Sequence, residues 1–165
     1  NRAINSRKPA KEAEAQSVLS PELGPEKAID GDRAEGGWAS MPFGGDRERP
    51  RQIWLNVVFP KAISIRGVRV LADARPGTPL PKAFRVQVRN GDAWLHFASV
   101  VEPQDASVPA KRVTALETEA IRVLFLTSDL PRSGDPQHDG IVRIRELLLL
   151  TPDGKEFTIP SLFTP

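Results

Sequence analysis

The sequence predicts an all-β fold, an eight-stranded jelly-roll β-sandwich. Three observations predict it. Short apolar segments alternate with a period of two, the signature of half-buried strands. Turn residues, Pro at 16 and Gly at 12, recur evenly between those segments, as in sandwiches and barrels. Helical periodicity is almost absent.

The elements follow in order. Residues 9–18 hold helix formers (Lys11, Glu12, Ala13, Glu14, Ala15) without an apolar stripe, which predicts a strand or a short exposed helix. After Pro50, Ile53, Leu55, Val57 and Phe59 share one face of a strand. In 63–71 the phase slips around Gly67, where a bulge is expected. Phe84, Val86 and Val88 alternate with Arg85, Gln87 and Arg89, a half-buried antiparallel strand. Asn90-Gly91-Asp92 joins it to 93–101, and Asn-Gly between alternating segments is a strong hairpin signal. Ile121, Val123 and Phe125 repeat the pattern. Pro152-Asp153-Gly154 turns the chain from 141–150 into 156–159. Three connections exceed a hairpin turn: 40–50, 73–82 and 128–140. Long loops on a rigid sandwich are where binding usually resides.

The 165 residues suit one domain, with a core over about 13–150 and a C-terminal strand or tail over 151–165. Lys plus Arg is 23 and Asp plus Glu 21, a net charge of +2. These charges are interspersed, as in Asp46-Arg47-Glu48-Arg49, whereas nucleic-acid binders carry a clustered basic stripe. No nucleic-acid partner is therefore expected. No apolar run is long enough for a membrane helix, and membrane binding is not expected either. Cysteine is absent, which excludes disulfides, thiolate metal sites and a Cys nucleophile. The leading Asn1 is read as the start of a processed or trimmed chain. No Gly-x-Ser-x-Gly, His-Glu-x-x-His or phosphate-binding loop occurs, so no enzyme activity is expected.

An ordered series of motifs then carries a family resemblance. Ser20-Pro21-Glu22-Leu23-Gly24-Pro25-Glu26-Lys27-Ala28-Ile29-Asp30-Gly31-Asp32 precedes Gly36-Gly37-Trp38-Ala39-Ser40. Gln52-Ile53-Trp54-Leu55-Asn56-Val57, Val68-Arg69-Val70, the 84–94 hairpin with Trp94, Ile121-Arg122-Val123 and Ile144-Arg145-Glu146-Leu147 follow. Together they resemble the discoidin, or F5/8 type C, family over most of the chain. The resemblance implies the galactose-binding-domain-like jelly roll. The absent terminal Cys pair implies a bacterial member, secreted, periplasmic or at the cell surface.

Candidate sites follow from residues and resemblance together. Glu146 lies in the alternating series Val142, Ile144, Glu146, Leu148, Leu150. A carboxylate in such a series must be paired, bind metal or be protonated. By resemblance the metal is a structural calcium, held by Asp30, Asp32, carbonyls around Ala28 and Ala34, and Glu146. The alternative is an arginine partner such as Arg33 or Arg145. Trp38, Trp54 and Trp94 are read as core in preference to sugar-stacking platforms. By resemblance Arg75 donates to sugar hydroxyls, a task suited to a planar fork, with Asp73 accepting or orienting it. Phe43 and His138, each in another long loop, complete the expected ligand site.

The expected function is a non-catalytic carbohydrate-binding module, one part of a larger chain. Its partners would be a glycan or cell-surface polysaccharide and the other domains of that chain. A structural or protein–protein docking domain and a phospholipid-binding discoidin domain are the alternatives.

Overall fold

A computed structural model describes residues 13–32, 37–40, 52–72, 83–101, 109–126 and 141–162. Eight antiparallel strands form one hydrogen-bonded network: β1 Ala13–Ala15, β2 Trp38–Ala39, β3 Gln52–Ala72, β4 Ala83–Asn90, β5 Ala93–Val101, β6 Pro109–Leu126, β7 Arg143–Leu150 and β8 Glu156–Thr158. Two strands are long enough to serve both layers of the sandwich. The first half of β3 pairs with β1 and the last part of β6, and β4 and β5 continue that layer, hereafter the front sheet. The second half of β3 pairs with β7, whose other edge carries β2 and β8, forming the back sheet. The register of β3 against β6 shifts between Val58 and Ile63, around Pro60. Proline lacks the ladder donor, so a break in pairing is where it fits.

The alternating strands take the predicted faces. Ile53, Leu55, Val57, Phe84, Val86, Val88, Ile121, Val123 and Phe125 all enter the core cluster. Phe84 and Phe125 meet at 6.0 Å with their rings tilted by 40°, a favourable aromatic pairing. The expected bulge near Gly67 appears as a second shift between Ile65 and Gly67. Both hairpins form where expected: Asn90 pairs with Ala93 across Gly91-Asp92, and Leu150 with Glu156 across the second turn. Residues 13–15 resolve the first ambiguity as a strand, paired with Leu55–Val57. Beyond β8, Ile159 is fully buried in the core.

Two readings are corrected. The series from Val142 to Leu150 does not keep one face, because Leu71 pairs with Glu146 while Ala72 pairs with Ile144. Arg145 is the extra residue of a bulge, and a bulge inverts the side-chain alternation beyond it. Ile144 therefore joins Leu147 and Leu149 in the main core. Glu146, Leu148 and Leu150 point the other way and are buried there. The second correction concerns the tryptophans. Trp38 is core, 1% exposed, but Trp54 and Trp94 are only half-buried. Trp54 stands between the inward residues Ile53 and Leu55, so strand parity turns it outward. Trp94 pairs with outward-facing Arg89.

Candidate functional site

The long connections carry the predicted ligand residues. Phe43, Asp73, Arg75 and His138 all lie outside the described residues, as does Ala34. The strand ends that anchor those connections are described, and they form two groups. At the back, the Ser40 N–H donates to the Val142 carbonyl at 2.9 Å, and the Val142 N–H donates to Ser40 Oγ at 2.8 Å. At the front, Gln52 pairs with Leu126. Segments 41–51 and 127–140 each join one group to the other. Segment 73–82 starts at Ala72, paired with Ile144 beside the back group. It ends at Ala83, two residues before Arg85, which pairs with Leu124 beside the front group. All three segments are thus rooted on the same two rows of strand ends. The hairpin turns at Gly91-Asp92 and Pro152–Gly154 close the opposite ends of their strands.

The second predicted cluster is described more fully. A 3-10 turn, Pro25–Ala28, leads into the loop through Asp30 and Gly31. Ala28 is fully buried, and Asp30 and Asp32 are exposed. The Asp32 N–H donates to Asp30 Oδ1 at 2.9 Å, closing the loop on itself. The Gly31 N–H donates to Glu146 Oε2 at 3.0 Å. Gly31 can aim that N–H because its φ of 85° suits glycine. Glu146, 0% exposed, therefore ties the loop to β7 across 115 residues of sequence. Just after the loop, Gly37 has a φ of 99°, and an added Cβ would stand 2.4 Å from the Ile144 carbonyl oxygen. That close approach delivers Trp38 to the core, where its Nε1–H donates to the Ser17 carbonyl at 2.9 Å.

Asp30, Asp32, Glu146 and the turn carbonyls are hard oxygen donors of the kind calcium takes. Their chemistry fits that ion, with Glu146 already held against the loop. Among the described residues no group of three or more His, Cys, Asp or Glu gathers. An ion here would therefore draw mainly on backbone carbonyls.

The feature that sequence reasoning missed lies on the outer face of the front sheet. The Arg122 guanidinium lies 5.0 Å from the Trp54 ring centre and 4.4 Å from that of Trp94. The Arg89 guanidinium lies 5.9 Å from the centre of the same Trp94 ring. These distances are within cation–π range. Arg122 Nε donates to Asn56 Oδ1 at 2.7 Å, which fixes the fork. Burial lowers the Arg122 pKa from its ordinary value, yet a guanidinium keeps its charge. Strand parity was the available signal: Trp54, Asn56, Arg89 and Arg122 all alternate with inward residues.

No protein-family model and no curated sequence matches the chain. Solved structures do. The family 32 CBM of C. perfringens NanJ, in complex with galactose, aligns with a TM-score of 0.64 at 17% identity, covering 83% of this chain and 90% of that one. Chitosan-binding module 2 of a Paenibacillus sp. IK-5 chitosanase/glucanase, in complex with chitotriose, aligns with a TM-score of 0.62 at 18% identity, covering 84% and 95%. The F5/8 type C domain of a Bacteroides fragilis protein aligns with a TM-score of 0.61 at 16% identity, covering 83% and 88%. The eight-stranded sandwich of this chain is thus the discoidin, galactose-binding-like fold.

Proposed function

We propose that the domain is a non-catalytic carbohydrate-binding module that takes its glycan at the end formed by segments 41–51, 73–82 and 127–140. The observation that carries this reading is the common rooting of those segments on two adjoining rows of strand ends. On this reading Phe43, Asp73, Arg75 and His138 serve one ligand. Arg75 supplies a planar donor fork for vicinal hydroxyls, Asp73 orients it, Phe43 packs on a sugar ring and His138 adds a polar contact. The similar modules bound to galactose and chitotriose support the same ligand class. A small sugar offers little surface to bury, so weak binding is expected. The setting we propose is an exported bacterial protein of several domains.

A glycan array in calcium, run beside Arg75→Ala, tests the reading. Binding to a glycan that disappears in Arg75→Ala is expected. A blank array, or binding indifferent to Arg75, overturns the site and moves the reading to protein docking.

Calcium is the proposed structural ion of the Ala28–Asp32 loop, with Glu146 and Asp30 as its carboxylate donors. A ligand that binds only the folded state stabilises it by about 2.7 kcal/mol at a hundredfold excess over Kd. Tm is therefore expected to be higher in calcium than in EDTA, and the difference to vanish in Glu146→Gln. Asp30→Asn, which can still accept from Asp32, gives a folded second variant. Identical melting of the wild type in calcium and EDTA would contradict the proposal.

A further inference from the structure

We infer that the outer face of the front sheet is a second carbohydrate surface, distinct from the loop end, that takes an acidic polysaccharide strand. The inference rests on the reading of the domain as a glycan-binding module and adds a ligand class to it. Strand register places the surface. Glu14 pairs with Asn56, Asn56 with Arg122, Arg122 with Gln87, and Gln87 with His96. One polar row thus crosses all five strands. Trp54 stands on one flank of that row and Trp94 on the other. Across the sheet they are three strand spacings apart, roughly 14 Å.

The Arg122 guanidinium lies against both rings, and Arg89 lies against Trp94 as well. Aromatic faces of this kind pack against the C–H faces of pyranose rings. Both rings remain half-buried rather than sealed in the core. Among the described residues, no acceptor takes the terminal nitrogens of Arg122, whose Nε is committed to Asn56. Those nitrogens retain a fork of donors for a carboxylate.

Charge selects the ligand class. Arg85, Arg89 and Arg122 occupy outward positions on β4 and β6. Glu14 is the carboxylate at the far edge of the same face among the described residues. Three guanidiniums against one carboxylate suit an anionic chain, and uronic-acid units offer carboxylate and ring face together. A neutral glycan would leave those guanidiniums without counterparts. A nucleic acid is less suited. Single strands are bound by bases stacked in succession along a continuous basic groove, whereas the three outward arginines here lie on β4 and β6 alone.

Affinity electrophoresis of the 165-residue chain through gels containing polygalacturonate, alginate or neutral polysaccharide tests the surface. Retardation by an acidic polysaccharide is expected, weakening as salt rises. Trp94→Ala and Arg122→Gln are each expected to weaken it at least tenfold, and Arg75→Ala to leave it unchanged. Arg122→Lys keeps the charge without the fork and is expected to recover only part of the binding. Thermal melts confirm that each variant is folded, and Arg89→Ala replaces any that is not. Retardation indifferent to Trp94, Arg122 and Arg89 overturns the inference, as does no retardation of the wild type. Stronger binding to single-stranded DNA than to either acidic polysaccharide also overturns it. Loss in Arg75→Ala alone assigns the ligand to the loop end and sinks this surface while sparing the loop-end reading.

Discussion

Gly37→Ala is expected to destabilise the domain by about 3 kcal/mol or more, summing backbone strain and overpacking. Two costs coincide at this residue. Its φ of 99° is disfavoured for a residue with a Cβ, and the new Cβ would meet the Ile144 carbonyl oxygen at 2.4 Å and Arg145 Cα at 2.9 Å. Both contacts are backbone atoms of β7, so no side chain can move aside. Relief would require parting β2 from β7, which breaks the Trp38–Ile144 pairing. Chemical denaturation with an unchanged m value measures the loss. A cost below about 1 kcal/mol, the size of an ordinary surface substitution, would show that the loop before Trp38 does not press on β7 as described.

Trp38→Ala is expected to cost about 3–5 kcal/mol, the range for emptying a large aromatic from a core. Trp38 is 1% exposed and sits in the core cluster. Its removal also takes away the indole N–H that donates to the Ser17 carbonyl. Trp54→Ala and Trp94→Ala are expected to cost about 1–2 kcal/mol each, mostly lost partial burial and cation–π contact. The comparison is decisive because all three residues look alike in the sequence. Equal costs at the three positions would contradict the assignment of two of them to the outer face.

The strands of the front sheet were legible because their alternation is uninterrupted. Phe84, Val86 and Val88 could face only one way, and Asn90-Gly91 sets the register of their hairpin. Long-range partners were harder to read. The resemblance implies that Glu146 meets the Asp30–Asp32 loop through a calcium; the structure joins the two directly, through a Gly31 N–H bond to Glu146. The bulge at Arg145 was not legible, because Leu147–Leu150 is apolar on both faces and leaves the phase beyond the bulge undefined. Parity read straight through it placed Ile144 and Glu146 together. Trp54 and Trp94 failed for the opposite reason. The alternation is visible around both, but both resemble family core positions, and that resemblance points inward where strand parity points outward. The continuity of β3 through Pro60 was also hidden, since two apolar segments parted by Pro-Lys look like two strands. The loop-end residues were legible only as members of long connections, whose anchoring rows emerge once strand pairing is known.

The central claim is that the glycan is taken at the end where segments 41–51, 73–82 and 127–140 are rooted. Titrating the 15N-labelled domain with the neutral glycan selected by the array tests it most directly. The account predicts amide shifts at Ser40, Gln52, Ala72, Ala83, Leu126 and Val142, with the turns at Gly91-Asp92 and Pro152–Gly154 unmoved. Shifts confined to those two turns, while the strand ends stay still, would contradict it.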